Sequence, residues 1–305
     1  MQAPKRCAVA FTRVDTTFIS HGIKCAAWLY VPGGVSNPPI VIMAHGFGAE
    51  RTFRLPAYAE HFVAQGMACL VFDYRTFGSS EGEPRNFVSP KRHLEDWQAA
   101  IAFARTLEAV DRDRLALWGT SMSGGHVIVT AARDPGISAI VAQIPFVDGR
   151  SFERNLGFKL QAVYHGLWDA IGGSLFNRRH YVPIVGDPGT FAMLNTPDAL
   201  EGANRLLPEG TEPGRQCPAV IALTAFFYRP IEFASQVACP ALLVYAERDT
   251  LVSATRVKET ADAMPNAKIV ELPVEHFDFY VGETFEQVVR LEADFLREQL
   301  GSSPG

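Results

Sequence analysis

The sequence predicts a doubly wound α/β protein: a mostly parallel sheet covered by helices on both faces, with one large insertion. Three observations lead there. Short continuous apolar runs alternate with stretches of helical spacing through the first half of the chain. The alternation stops between about Gly149 and Val237. It then resumes and continues to the C-terminal end.

The elements follow in order. Val14–Ile19 and Ile23–Val31 flank Ser20-His21-Gly22 and predict a hairpin. Pro32-Gly33-Gly34 breaks the pattern, and Ile40–Ala44 then forms an apolar run suited to a strand buried on both faces. Phe53–Gln65 has helical spacing and ends at Gly66; Met67–Tyr74 is the next strand. Pro90–Thr106 is a helix with Ser89 as its N-cap and a proline in its first turn. Leu115–Trp118 (strand), Met122–Ala132 (helix) and Ile137–Ile144 (strand) follow. After the interruption come Ala241–Ala246 (strand), Ala254–Ala263 (helix), Ile269–Leu272 (strand) and the closing helix Phe285–Leu300, with Gly301–Gly305 as a frayed tail.

The interrupted stretch holds Gly172-Gly173, Val185-Gly186-Asp187-Pro188-Gly189 and further prolines. It is too long for an ordinary connection. The expected division is a core of residues 1–148 and 237–305 with an inserted cap at 149–236. A length of 305 residues fits two units or one large α/β domain with such an insertion.

Composition narrows the function. Lys and Arg number 28 against 33 Asp and Glu, a net charge of −5 that offers no basic surface for nucleic acid. No apolar run reaches the length of a membrane span, and no secretion signal is visible in Met1–Val14, so a cytoplasmic location is expected. Cys7, Cys25, Cys69, Cys217 and Cys239 are odd in number and widely spaced, which suits free thiols rather than a metal site.

The strongest chemical signal is Leu115-Ala-Leu-Trp-Gly119-Thr-Ser121-Met122-Ser123-Gly124-Gly125. An apolar strand enters a tight turn bearing a serine and leaves as a helix. Such a turn is strained, and the positions two residues to either side of the nucleophile must be small. Gly119 and Ser123 meet that need around Ser121. Ser123 is the rival nucleophile, flanked by Ser121 and Gly125, but it lies further from the strand end. A serine needs a base oriented by a carboxylate, in chain order Ser, acid, His. Asp249 follows the strand Ala241–Ala246, and His276 follows the strand Ile269–Leu272; Glu247 is the alternative acid. An acyl-transfer oxyanion needs N–H donors. Met122, directly after the serine, supplies one, and Phe47 in His45-Gly46-Phe47-Gly48 is the candidate for the other. His45 is read as a brace for that loop. Asp73 and Arg75, just past a strand, are read as structural.

With these motifs in place, the chain resembles the α/β-hydrolase superfamily. His45–Gly48, Asp73–Gly82, Gly119–Gly125, Asp249 and His276 carry the resemblance in the family's order and span most of the chain. Phe72-Asp73-Tyr74-Arg75, Gly82-Glu83-Pro84-Arg85 and Gly119–His126 look like a dienelactone-hydrolase-like branch that includes bacterial esterases and fungal polyketide transferases. Val182–Gly189 is similar to a segment of the same branch. Thr76 stands where that branch usually has glycine, which puts the tightness of its loop in question.

The expected function is therefore serine-dependent cleavage of a small-molecule ester or thioester, with no metal and no organic cofactor required. The alternatives are transfer of the acyl group to an alcohol, and a member of the fold that binds without catalysis. A haloperoxidase side activity would use the same triad. Aspartate-nucleophile chemistry does not fit Ser121. A homodimer, through the inserted stretch or an edge strand, is the partner anticipated.

Overall fold

A computed structural model of the chain describes residues 10–151, 155–211 and 214–301. Cys7, the Lys5-Arg6 pair and residues 302–305 of the tail lie outside the described residues.

The apolar runs become strands because a strand covered on both faces needs no polar side. β3 (Pro39–Ala44), β4 (Ala68–Phe72), β6 (Ala139–Gln143) and β9 (Ala241–Ala246) are buried at every position. The edges read differently. β1 (Phe11–Ser20) pairs antiparallel with β2 (Ile23–Pro32) through a turn at His21 and Gly22, both at positive φ, and is mostly exposed. At the other edge β10 (Ala267–Leu272) carries Lys268 and Glu271. The eight strands, with β5 (Asp111–Thr120), run in the order β1-β2-β4-β3-β5-β6-β9-β10. β2 meets β4 antiparallel, and every pairing from β4 to β10 is parallel.

The helices divide between the two faces. α1 (Leu55–Ala64) packs with the closing helix α8 (Gly282–Leu300), whereas α2 (Pro90–Ala104) packs with α3 (Met122–Arg133). Ser89 caps α2, accepting from the Arg92 N–H, and Ser253 caps α7 (Ala254–Ala263) in the same way. β3 and β5 are neighbours, yet the chain leaves β3 toward β4 and only then crosses back to β5. Open α/β sheets form a crevice at such a reversal, beyond the carboxyl ends of the strands.

Between β6 and β9 lie α4 (Leu156–Leu175), the short pair β7 (Tyr181–Pro183) and β8 (Gln216–Pro218), α5 (Ala199–Asn204), α6 (Ile221–Thr224), and three 3₁₀ turns at Gly149–Ser151, Ala225–Phe227 and Pro230–Gln236. Gly172-Gly173, expected to break the rhythm, lies inside α4. The chain returns across these glycines: a Cβ on Gly172 would sit 2.7 Å from the Arg178 carbonyl oxygen. The pair marks a close crossing, not a helix end. Among the described residues, no helix is long and apolar enough to cross a membrane.

Candidate active site

Ser121 stands between the end of β5 and the start of α3, with φ 56° and ψ −117°. That conformation is strained for a residue with a side chain. The surrounding backbone holds it. The Ser121 N–H donates to the Gln143 carbonyl at 2.9 Å, and its own carbonyl accepts from the Phe146 N–H at 2.9 Å. The turn also needs room. A Cβ on Gly119 would lie 2.3 Å from the Ser123 carbonyl oxygen, and one on Gly46 would lie 2.9 Å from the Ser121 Cβ. The small residue at 119 follows from the packing, as the motif implied, and the packing asks the same of Gly46.

Asp249 and His276 come together. Asp249 Oδ2 lies 2.7 Å from His276 Nδ1, and both side chains are almost fully buried. Asp249 Oδ1 accepts the N–H groups of Leu251 and Val252, each at 2.8 Å, so both carboxylate oxygens are engaged. Glu247, the alternative acid, is exposed. Asp278 and Glu275, the acidic residues flanking His276, close the start of the His276–Tyr280 turn as a reciprocal capping box. That turn is tied down from three sides. The Tyr58 hydroxyl donates to the Phe279 carbonyl at 2.6 Å. Arg54 Nε donates to the Tyr280 carbonyl at 2.9 Å, and the Tyr280 hydroxyl meets Thr120 Oγ1 at 2.5 Å, beside Ser121.

The two serines of the motif separate in space. Ser121 lines a cavity of about 750 Å³ together with Phe47 and Met122, while Ser123 is fully buried and turned toward the interior. The cavity is walled largely by apolar side chains, among them Phe158, Met193, Phe226 and Phe227, with Arg150 and Lys159 as the charged members. None of these wall residues was singled out from sequence; they come from the 149–236 stretch, and no local pattern marks them. Among the described residues the N–H groups of Phe47 and Met122 have no hydrogen-bond partner. Met122 also opens α3, where the helix dipole favours negative charge.

The loops around the serine are braced by buried polar groups. Asp73 accepts from the Arg51 and Ser79 N–H groups at 2.7 and 3.2 Å and pairs with the Arg51 guanidinium; burial nevertheless pushes its carboxyl up to about 6. Arg75 pairs with Asp96 and Glu95. Burial drives His45 down to about 3, so its ring is neutral, and Nδ1 lies 3.0 Å from the Gly46 carbonyl oxygen. Thr76 adopts φ 73° where glycine was the family habit. Its Oγ1 accepts the Phe87 N–H at 3.0 Å and its N–H donates to the Glu81 carbonyl, so the loop is tight despite the side chain. His93 on α2 and His126 on α3 are buried against each other where the two helices pack, consistent with packing roles. His165 and His180 contact each other at 2.7 Å with their rings stacked, and His180 stacks in turn on Trp168. Among the described residues no cluster of three or more metal-ligating side chains occurs.

A mostly parallel sheet with a strained serine turn after β5 and a carboxylate–histidine pair after β9 and β10 defines the α/β-hydrolase class, and this chain belongs to the α/β-hydrolase superfamily. The family profile described as X-Pro dipeptidyl-peptidase (S15 family) matches residues 21–180, just over half of the chain. The quorum-quenching protein AidA of Acinetobacter baumannii is 41% identical over 286 residues, covering 93% of this chain and 94% of that protein. The thiohydrolase aneE of Aspergillus aculeatus is 27% identical, covering 96% and 93%. The crystal structure of the α/β hydrolase GrgF from Penicillium sp. sh18 superposes with a TM-score of 0.79 at 22% identity, covering 96% of this chain and 99% of that one. These relatives support an enzyme of hydrolase type.

Proposed function

We propose that the protein is a serine hydrolase of small-molecule carboxylic esters or thioesters, acting through an acyl-enzyme. The observation that carries this assignment is Ser121, held at a strained turn on an apolar cavity it shares with two unpartnered N–H groups. The buried Asp249–His276 pair stands at the same sheet edge.

The chemistry follows from these groups. With Nδ1 engaged by Asp249, Nε2 of His276 takes the Ser121 proton as Oγ attacks the acyl carbon. The carbonyl oxygen becomes an oxyanion and accepts from the Phe47 and Met122 N–H groups. Collapse breaks the bond to the leaving alcohol or thiol, which receives the proton from His276. Water, deprotonated by the same nitrogen, attacks the acyl-enzyme; its proton returns to Ser121 and the carboxylic acid leaves. Residues 149–236 serve as a cap that walls the acyl site and excludes bulk water. An acceptor alcohol admitted in place of water would make the enzyme an acyltransferase. The apolar cavity walls favour that second reading, because they disfavour water more than an organic alcohol. A second copy of the chain is proposed to cover the outward face of α4.

The test is hydrolysis of p-nitrophenyl esters from acetate to palmitate, with wild type beside Ser121→Ala. Loss of at least about 10³-fold in kcat/KM is expected for Ser121→Ala, with the remainder coming from binding and the oxyanion donors. Near wild-type turnover in that variant would overturn the assignment. An acceptor competition assay on the same esters separates hydrolysis from transfer.

A further inference from the structure

Ser123 occupies the position that is glycine in the commoner form of the nucleophile motif, and its hydroxyl is fully buried. It donates to the His45 carbonyl at 2.7 Å. It also contacts the Tyr74 hydroxyl, which accepts from Trp97 Nε1 at 2.9 Å. Counting protons fixes the direction of every bond. The indole can only donate. The single Ser123 proton goes to the His45 carbonyl, so the Tyr74 hydroxyl must donate to Ser123 Oγ. The result is a one-way chain, from the Trp97 N–H through the Tyr74 and Ser123 hydroxyls to the His45 carbonyl. All three side chains are buried, and hydrogen bonds in such a chain strengthen one another.

The chain ends on the peptide that leads into the oxyanion loop. The next peptide joins Gly46 to Phe47. In a trans peptide the C=O and N–H point opposite ways. The His45 ring, neutral and therefore carrying one proton, donates from Nδ1 to the Gly46 carbonyl and holds it to one side. The Phe47 N–H must then face the other way. Two consecutive carbonyls are thus pinned by side chains, one by Ser123 and one by His45.

We propose that Ser123, backed by Tyr74 and Trp97, is a positioning residue that aims the Phe47 N–H at the oxyanion. This role rests on Ser121 as nucleophile and Phe47 as oxyanion donor. It gives the second serine of Gly-Thr-Ser-Met-Ser a function that the motif alone does not. A glycine there would leave the His45 carbonyl buried and unpaired, free to turn and to swing the loop with it.

The experiment uses Ser123→Ala and Tyr74→Phe in the full-length enzyme, assayed on the best p-nitrophenyl ester and on a trifluoromethyl ketone of the same acyl chain, whose adduct places an oxyanion in the hole. In Ser123→Ala, kcat is expected to fall about ten- to a hundred-fold, less than the roughly 10²–10³ of deleting a donor outright. KM stays within about two-fold, and the ketone Ki rises by the same factor as kcat/KM falls. Tyr74→Phe leaves the Ser123–His45 bond but removes the group behind it, so a smaller change in the same direction is expected. It also keeps the test alive if Ser123→Ala does not fold. Equal kcat in the variants and wild type, or a kcat loss without the matching rise in Ki, overturns the positioning role. Absence of Ser121-dependent turnover, read from wild type beside Ser121→Ala before Ser123 or Tyr74 is changed, would instead sink the proposed function itself.

Discussion

Glu292 is a wholly enclosed carboxyl that the mechanism does not use. It sits on α8, and its Oε2 accepts from the Trp118 indole at 2.8 Å while Oε1 has no partner. Burial raises it to about 8, with the Trp118 bond pulling the other way. The unfolded chain titrates near 4.5. Below that value both states are protonated. Between about 4.5 and 8 only the unfolded chain loses the proton, so stability falls as pH rises, by up to ~1.4 kcal/mol per unit. Above about 8 the slope levels off. Glu292→Gln keeps an acceptor for Trp118 and lacks that slope, so the variant should be the more stable form by an increment that grows from pH 5 to 8. Urea unfolding across this range measures it; parallel curves would refute the assignment. Asp249→Asn tests the carboxylate proposed to orient His276. It should leave His276 in place but in the wrong tautomer, with kcat down by roughly 10⁴ and ester KM little changed.

Elements fix where those side chains stand. The His276–Tyr280 turn carries the proposed base and is bonded to α1 through Tyr58 and to the end of β5 through Tyr280. Removing the Tyr280 hydroxyl breaks the tie to Thr120, although Thr120 keeps its bond from Gln143 at 2.9 Å. Tyr280→Phe is expected to lower unfolding free energy by about 1–2 kcal/mol and to lower kcat, because base and nucleophile lose a shared anchor; chemical denaturation and ester kinetics on one preparation check both. Much at this scale was legible in sequence. The sheet was visible because its central strands are apolar on both faces. Asp249 and His276 were singled out because each follows a predicted strand, Asp249 the doubly covered β9 and His276 the edge strand β10. What stayed hidden depends on contacts between distant segments. Gly172-Gly173 looked like a break because the crossing of Arg178 over it has no local signature. Ser123 looked like a spare nucleophile because its partners, His45 and Tyr74, come from the ends of two other strands.

At the scale of the whole molecule, α4 is the anomaly. Leu156, Leu160, Val163, Leu167, Ile171 and Leu175 recur every three or four residues, with Tyr164 and Trp168 beside them, and all stand about half exposed or more. A surface helix ordinarily turns polar residues outward. Here on the order of 1,000 Å² of apolar side chain faces outward, comparable with the ~800 Å² that each partner gives to a standard interface. A straight apolar stripe of this kind can pair with its own copy across a two-fold axis. Sedimentation velocity should show a dimer, and Leu160→Glu with Leu167→Glu should return it to monomer while the far-ultraviolet spectrum stays unchanged. A wild-type monomer at tens of micromolar would exclude this pairing.

Val163 belongs both to that stripe and to the wall of the cavity. A helix with one side on a neighbour and the other on the acyl site cannot shift to admit a larger substrate without disturbing its mate. In the dimer proposed through α4, substrate size and subunit association would be mechanically linked, and chain-length preference would be a property of the pair. Dilution alone should broaden the range of acyl lengths accepted, with every atom around Ser121 left as it was.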